Sequence, residues 1–406
     1  MRILITQESD WLRRNPLQQH HLAERLSLQG HDIRVIDYEL LWKTQGRKKL
    51  YSRREVFNNV SKIYSGANVT VIRPGIIKIP WLDYASLIFS HQKEINQQIK
   101  EFKPDVIVGF GILNGYLAAK AAKKNNLPFI YHWLDVLHWL ITFKPFQPIG
   151  KMVEIKTLKQ ADRVLTISDN LKDFVIGLGA SPERVQVLRP GVLVEQFNPA
   201  TSGAAIRKQY KIKEDDIVLF FMGWLYKFSG LKEVALELAK TKSNNLKLLI
   251  VGDGDAYAKL QRIQQKYNLQ DRVILTGQRP YAEIPAFIAA SDICLLPAQP
   301  REKIMQDGVP AKLYEYMAME KPVISTRLPG VVTEFGQNNG VVYVEQPEDV
   351  VAKAIELVRN SRVQELGLKA RSFVEKYSWD NITNEFERIL KEVIKEKRNG
   401  TISRGM

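Results

Sequence analysis

Residues 217–239 read IVLFFMGWLYKFSGLKEVALELA. Six apolar, largely β-branched or aromatic residues end at Gly223, a short turn carries Lys227 and Gly230, and an amphipathic pattern then runs LKEVALELA. A strand, a glycine-bounded turn and a helix in that order form the half-unit of a parallel α/β layer. The same alternation recurs on both sides. In the second half, strands are expected at 246–252, 272–277, 293–298, 322–326 and 340–344, separated by helices such as AYAKLQRIQQKYN and IPAFIAAS. In the first half they are expected at 2–6, 32–37, 105–110, 128–133, 163–168 and 184–188, with HHLAERLSLQG and NGYLAAKAAKKNN as helices between them.

The loop RPGVLVEQFNPATSG, residues 189–203, interrupts the pattern with Pro and Gly and reads as the joint. The expectation is an α/β chain of two doubly wound, Rossmann-like domains, 1–190 and 191–378, facing each other across a cleft. A final helix, 379–397, would cross back to the first. The length of 406 residues suits two cores rather than one. No period of 20 to 50 residues marks a solenoid.

Composition narrows the class. Hydrophobic content of 45% with 25% charged residues is that of a globular chain, and no run approaches the roughly 18 apolar residues of a membrane-spanning helix. One cysteine, Cys294, excludes an internal disulfide framework. The opening MRILITQESD runs directly into a strand pattern without the basic and apolar regions of a signal peptide, so a cytoplasmic location is expected.

The net charge is +15, and residues 1–200 hold 28 Lys and Arg against 18 Asp and Glu. Most of that excess lies between Lys43 and Lys78, interleaved with Trp42, Tyr51, Phe57 and Tyr64. It reads either as a solvated basic face or as a surface for anionic lipid headgroups or a phosphorylated acceptor. Nucleic acid is not expected as a partner, because no zinc-finger, RNP or recognition-helix pattern accompanies the charge.

Open α/β sheets bind ligands beyond the carboxyl ends of their strands. The loop after the first strand, QESDWLRRNPLQQH, lacks glycine, which argues against a nicotinamide-dinucleotide fingerprint. Gly223, Lys227 and Gly230 together suit an anion, although the glycines also suit a plain turn. His132 and Asp135, in PFIYHWLDVLHWL, fall at and just past a strand end, where a catalytic and a structural role both remain open. Asp253-Gly-Asp255 sits at a strand-to-helix turn, where Asp is a common cap. The histidines have no metal-ligand spacing, so no metal is expected. No G-x-S-x-G elbow supports a hydrolase. In DGVPAKLYEYMAMEKPVIST, Glu315 is a carboxylate among apolar neighbours, either solvated or aimed at a polar partner.

Taken in order, LAERLSLQGHDIRVI, ADRVLTISDNLKDFV, RPGVLVEQFNP and VGDGDAYAKLQRIQQKYNLQDRVILTGQRPYAEIPAFIAASDICLLPA resemble the retaining glycosyltransferases of the two-Rossmann-domain (GT-B) type, specifically family 4. The resemblance covers nearly the whole chain. It implies transfer of a hexosyl unit from a nucleotide-diphosphate sugar to an acceptor hydroxyl with retention, with no bound cofactor. The acceptor would be a lipid-linked or polysaccharide glycan, and contact with an anionic membrane is the corresponding partner expectation.

By the same resemblance, Glu315 matches the second of two family glutamates and would hold the donor ribose. The first falls on Asp307, one methylene shorter, near the donor sugar. Amides of Ala311, Lys312 and Leu313 would face the diphosphate or sugar, and the main chain at Gln278 and Arg279 the base. Trp224 and Ser229 stand where relatives commonly carry an Arg and a Lys, so Lys227 and Lys312 are the substitute cations expected for the diphosphate. Arg13 and Arg14 fall where relatives carry a glycine pair, within reach of phosphate or acceptor, and His132 matches a family histidine near the donor sugar. The altered clamp and Asp307 also suit a non-catalytic subunit that binds nucleotide sugar or glycan.

Overall fold

The computed structural model describes residues 1–400 except 15, 40–49, 81, 142, 242, 244 and 307. The chain divides into two units, Met1–Pro190 joined by the chain from Trp379 onward, and Gly191–Ser378.

The first unit holds an eight-stranded sheet: β1 (Arg2–Thr6), β2 (Asp32–Ile36), β3 (Glu55–Val60), β4 (Val69–Arg73), β5 (Val106–Gly109), β6 (Phe129–Trp133), β7 (Arg163–Thr166) and β8 (Val185–Val187). Their spatial order is β3-β4-β2-β1-β5-β6-β7-β8. All neighbours run parallel except β3, which pairs antiparallel with β4 at the edge. The register sets Ile3 beside Ile33 on one side and Val106 on the other. β5, β6 and β7 are buried at every position, as expected of strands covered by helices on both faces.

Two of these strands differ from the sequence expectation. β3 and β4 lie inside the basic stretch, where charge rather than a strand pattern dominates the sequence. β4 carries VTVIR, three of whose residues are apolar, and adds in parallel to β2. β3 is an exposed edge strand with no apolar run to announce it. The described part of the stretch is also not a free cationic face. Arg54 is bidentate to Glu94 at 2.7 and 2.9 Å, Lys78 meets Glu39 at 2.8 Å, and Arg73 is buried against Asp10 and Asp37. Lys43 to Lys49 lie outside the described residues.

The terminal helix Trp379–Arg398 belongs to this first unit. Its apolar face (Phe386, Ile389, Leu390, Val393) is buried, and its Trp379 ring stacks on His21 with centroids 4.2 Å apart. Polar contacts fix its register: Glu396 accepts two bonds from Arg163 at 2.9 and 3.0 Å, and Lys397 meets Asp162 at 2.8 Å.

The second unit holds β9 (Ile217–Met222), β10 (Leu246–Val251), β11 (Val273–Leu275), β12 (Ile293–Leu296), β13 (Val323–Thr326) and β14 (Val341–Val344), all parallel, in the order β11-β10-β9-β12-β13-β14. The order reverses between β1 and β5 in the first sheet and between β9 and β12 in the second. These are the switch points at which open α/β sheets leave a crevice.

Candidate functional site

At the second switch point, β12 pairs with β9 only at Leu219 and Phe220. The strands then diverge, and Met222 would be left with backbone groups facing an open edge. The helix Lys312–Ala318 closes it from both sides. The Met222 amide donates to the Tyr316 hydroxyl at 2.9 Å, and the Met222 carbonyl accepts from Lys312 Nζ at 2.6 Å. Lys312 also stands 4.1 Å over the Phe221 ring. Burial pushes its ammonium down to about 8. Gly223, with φ 122°, follows directly; a Cβ there would come within 2.8 Å of Lys312 Nζ, so the absent side chain gives the lysine its room.

Glu315 lies on the same helix. Its Oε1 accepts from the Tyr281 hydroxyl at 2.5 Å. Burial raises its carboxyl to about 7, against the opposing pull of the Tyr281 bond and the Lys312 charge. Glu315 nevertheless keeps part of its surface in contact with solvent. The carboxylate is thus aimed at a hydroxyl and a cation rather than solvated alone.

The other donor candidates separate. Gln278 is exposed, while the Arg279 guanidinium donates to the Tyr210 hydroxyl at 2.8 Å and its Nε has no partner. Gly230 adopts φ 72° just before the helix Leu231–Lys240, and a Cβ there would lie 1.7 Å from the Pro297 carbonyl oxygen; close packing accounts for this glycine. Lys227 is exposed in a turn where Tyr226 and Phe228 stack at 4.8 Å. Ala311 is exposed, but the Leu313 amide donates to the Pro310 carbonyl at 3.1 Å, so that amide is already spent on a turn and does not face a ligand as expected. Asp307 lies outside the described residues.

The first unit gathers a different set. His132, on β6, is 1% exposed, neither ring nitrogen has a hydrogen-bond partner, and burial drops its pKa to about 3. Its ring lies 4.9 Å from Phe110 and 6.1 Å from Phe386. It is a neutral imidazole at any physiological pH. Asp135, raised by burial, accepts from the Val136 amide at 2.7 Å.

Two residues that the sequence does not single out, Glu8 and Glu154, belong with these. Glu8, raised by burial to about 7, accepts from the Asn114 amide at 2.6 Å across the switch point and fills the space above Gly111. Glu154 is fully buried against His138 Nδ1; burial first, then the charges of Glu8 and Asp135, lift it to about 9. The only signal for Glu8 was its place in the loop after β1. Arg13 and Arg14 are exposed on the following turn, which Lys62 clamps by donating to the Trp11 and Leu12 carbonyls at 2.9 and 3.1 Å. Among the described residues, no group of His, Cys, Asp or Glu could hold a metal ion.

Two family models match the chain, and together they take in both units: Glycosyltransferase Family 4 over residues 19–196 and Glycosyl transferases group 1 over residues 203–376. An uncharacterized glycosyltransferase of Methanocaldococcus jannaschii is 24% identical over 253 residues, 61% of either chain. The aligned stretch therefore spans under two thirds of that relative. A putative teichuronic acid biosynthesis glycosyltransferase of Bacillus subtilis is 26% identical over 345 residues, 82% of either chain. Among solved structures, Anabaena HepE in complex with UDP superposes with a TM-score of 0.74 at 16% identity, covering 97% of this chain and all of that one. From the two α/β sheets, the switch point within each and the two matched family models, the chain belongs to the group 1, family 4 glycosyltransferases and has the GT-B fold.

Proposed function

We propose that this chain moves a hexosyl unit from a nucleotide-diphosphate sugar to a hydroxyl of a lipid-linked or polysaccharide acceptor in cell-envelope glycan synthesis, with retention and without a metal. The observation that carries this is the Glu315, Tyr281 and Lys312 group at the carboxyl end of β9. An ionised Glu315 accepts hydrogen bonds from the two ribose hydroxyls, with Tyr281 fixing its orientation. Lys312, released from the Met222 carbonyl, and Lys227 neutralise the departing diphosphate, which is where negative charge grows in the transition state. Gln278 and Arg279 face the base through their main chain. His132, uncharged, offers a neutral donor or acceptor to the sugar, and Asp135 lies three residues beyond it. The UDP complex of the Anabaena neighbour and the glycan named for the Bacillus relative support the donor and acceptor classes.

The test begins with thermal shift against UDP, GDP, ADP, CMP and dTDP, followed by the matching sugars. A ligand at 100 times its dissociation constant adds about 2.7 kcal/mol. Glu315→Ala is expected to abolish the shift and most turnover. Full turnover in that variant refutes the assignment, and a shift with neither transfer nor donor hydrolysis in the wild type makes the chain a binding subunit instead.

A further inference from the structure

Past β6 the chain runs through two short 3-10 turns, Leu137–Leu140 and Lys144–Phe146, into the helix Gln147–Gln160. Five large apolar side chains on this stretch are turned outward: Leu140, Phe143, Phe146, Ile149 and Met152 are each between 42% and 52% exposed. Phe143 and Phe146 sit edge to face at 5.1 Å, and Ile149 and Met152 continue the same strip one helical step apart. A strip of this kind on a globular chain marks a surface that meets something apolar.

Charge identifies the occupant. Lys144, Lys151, Lys156 and Lys159 are all exposed, and the only acid between Val136 and Gln160, Glu154, is fully buried against His138. The outward side of this stretch thus carries apolar and positive groups with no negative ones. A second copy would bring lysines against lysines. An anionic lipid surface satisfies both features, since the rings and aliphatic chains enter the headgroup boundary while lysines meet phosphates.

We propose that Leu140 to Lys159 forms a membrane-docking surface that seats the first unit on anionic lipid. It is distinct from the Lys43 to Lys78 stretch, in which Arg54, Arg73 and Lys78 are paired with carboxylates. The proposal serves the lipid-linked acceptor reading but is tested apart from it.

The test is sedimentation of the full-length protein with phosphatidylcholine vesicles, with and without phosphatidylglycerol. Binding is expected only with phosphatidylglycerol and is expected to weaken at high salt. The charge variant Lys151→Glu with Lys156→Glu is expected to lose at least about fivefold for each lysine removed. The apolar variant Phe143→Ser, Phe146→Ser and Ile149→Ser is expected to lose binding as well; its residues are half exposed, and an unchanged nucleotide thermal shift and tryptophan emission check that it folds. Wild-type protein that ignores anionic vesicles, or variants that bind as wild type does, overturn the proposal, as does a stable dimer whose contact is abolished by the apolar variant. Wild-type protein that gives a nucleotide shift but no vesicle binding sinks the membrane surface alone; wild-type protein that binds vesicles and gives no nucleotide shift leaves it standing and sinks the donor reading.

Discussion

Glu315 and Lys312 titrate within about a pH unit of each other, and their order matters. The Glu315 carboxyl, raised to about 7, must be ionised to accept from ribose hydroxyls, and Lys312, lowered to about 8, must be protonated to meet phosphate. Donor affinity is therefore expected to peak between these values. Each unit below about 7 costs up to about tenfold. Titrating affinity for a nucleotide sugar, whose diphosphate has no proton to lose in this range, reads the curve. Glu315→Gln should remove the acid limb and Lys312→Met the alkaline one, while Tyr281→Phe, by deleting a bond to the ionised form, should move the acid limb upward. A flat profile in the wild type would rule out Glu315 as the ribose acceptor. His132 sets up a different opposition. A buried imidazole with two unsatisfied nitrogens costs about 1 to 3 kcal/mol, so His132→Leu is expected to raise stability by that order in urea titration while reducing transfer. Loss on both counts would assign the ring a packing role only.

Among the elements, the terminal helix shows how much of a unit can rest on a late segment. Phe386 is 1% exposed and packs toward β6 through His132, so Phe386→Ala is expected to destabilise the first unit by about 3 to 5 kcal/mol. Urea unfolding followed by tryptophan emission measures this, and a cost below about 1 kcal/mol would mean that the helix is dispensable there. The helix was legible in sequence because its apolar residues recur at helical spacing after the second sheet is complete. Most strands were legible for a comparable reason: β5 to β7 and β9 to β13 are short apolar runs that do not need their partners to be recognised. β3 was not, because an exposed edge strand has no apolar signature, and β4 was masked by the bases around it. Glu315 stood out as a carboxylate among apolar neighbours, but its partner Tyr281 lies 34 residues away. Glu8 reaches Asn114 across 106 residues. Pairings of that range are made by the order of strands in a sheet, which local pattern does not encode.

Across the whole chain, acid should act unevenly. All six histidines lie in the first unit, and burial lowers five of them, His20 and His91 to about 4, His21 and His132 to about 3, and His138 in the same direction. An unfolded histidine takes up its proton near 6.5, so between that value and the folded one the unfolded state binds more protons and stability falls as pH falls. Each such histidine contributes a slope of up to about 1.4 kcal/mol per pH unit. Glu8 and Glu154 act oppositely: their folded values of about 7 and 9 exceed the unfolded value, so they favour folding as pH drops toward 4.5 and then saturate. They offset about two histidines down to that point and none below it. With more lowered histidines than raised glutamates, the first unit is expected to lose stability as pH falls below about 6.5 and to lose it faster just below about 4.5, where the glutamates no longer offset the histidines, ahead of the second, which has no histidine. Six of the seven tryptophans lie outside the second unit, and Trp224→Phe removes the seventh, so emission reports the first unit while far-ultraviolet ellipticity reports both. The expected record is an emission transition completed while part of the ellipticity survives, shifted to lower pH by His132→Leu. Coincident transitions in the two signals would mean that the buried histidines do not set the acid limit of this fold.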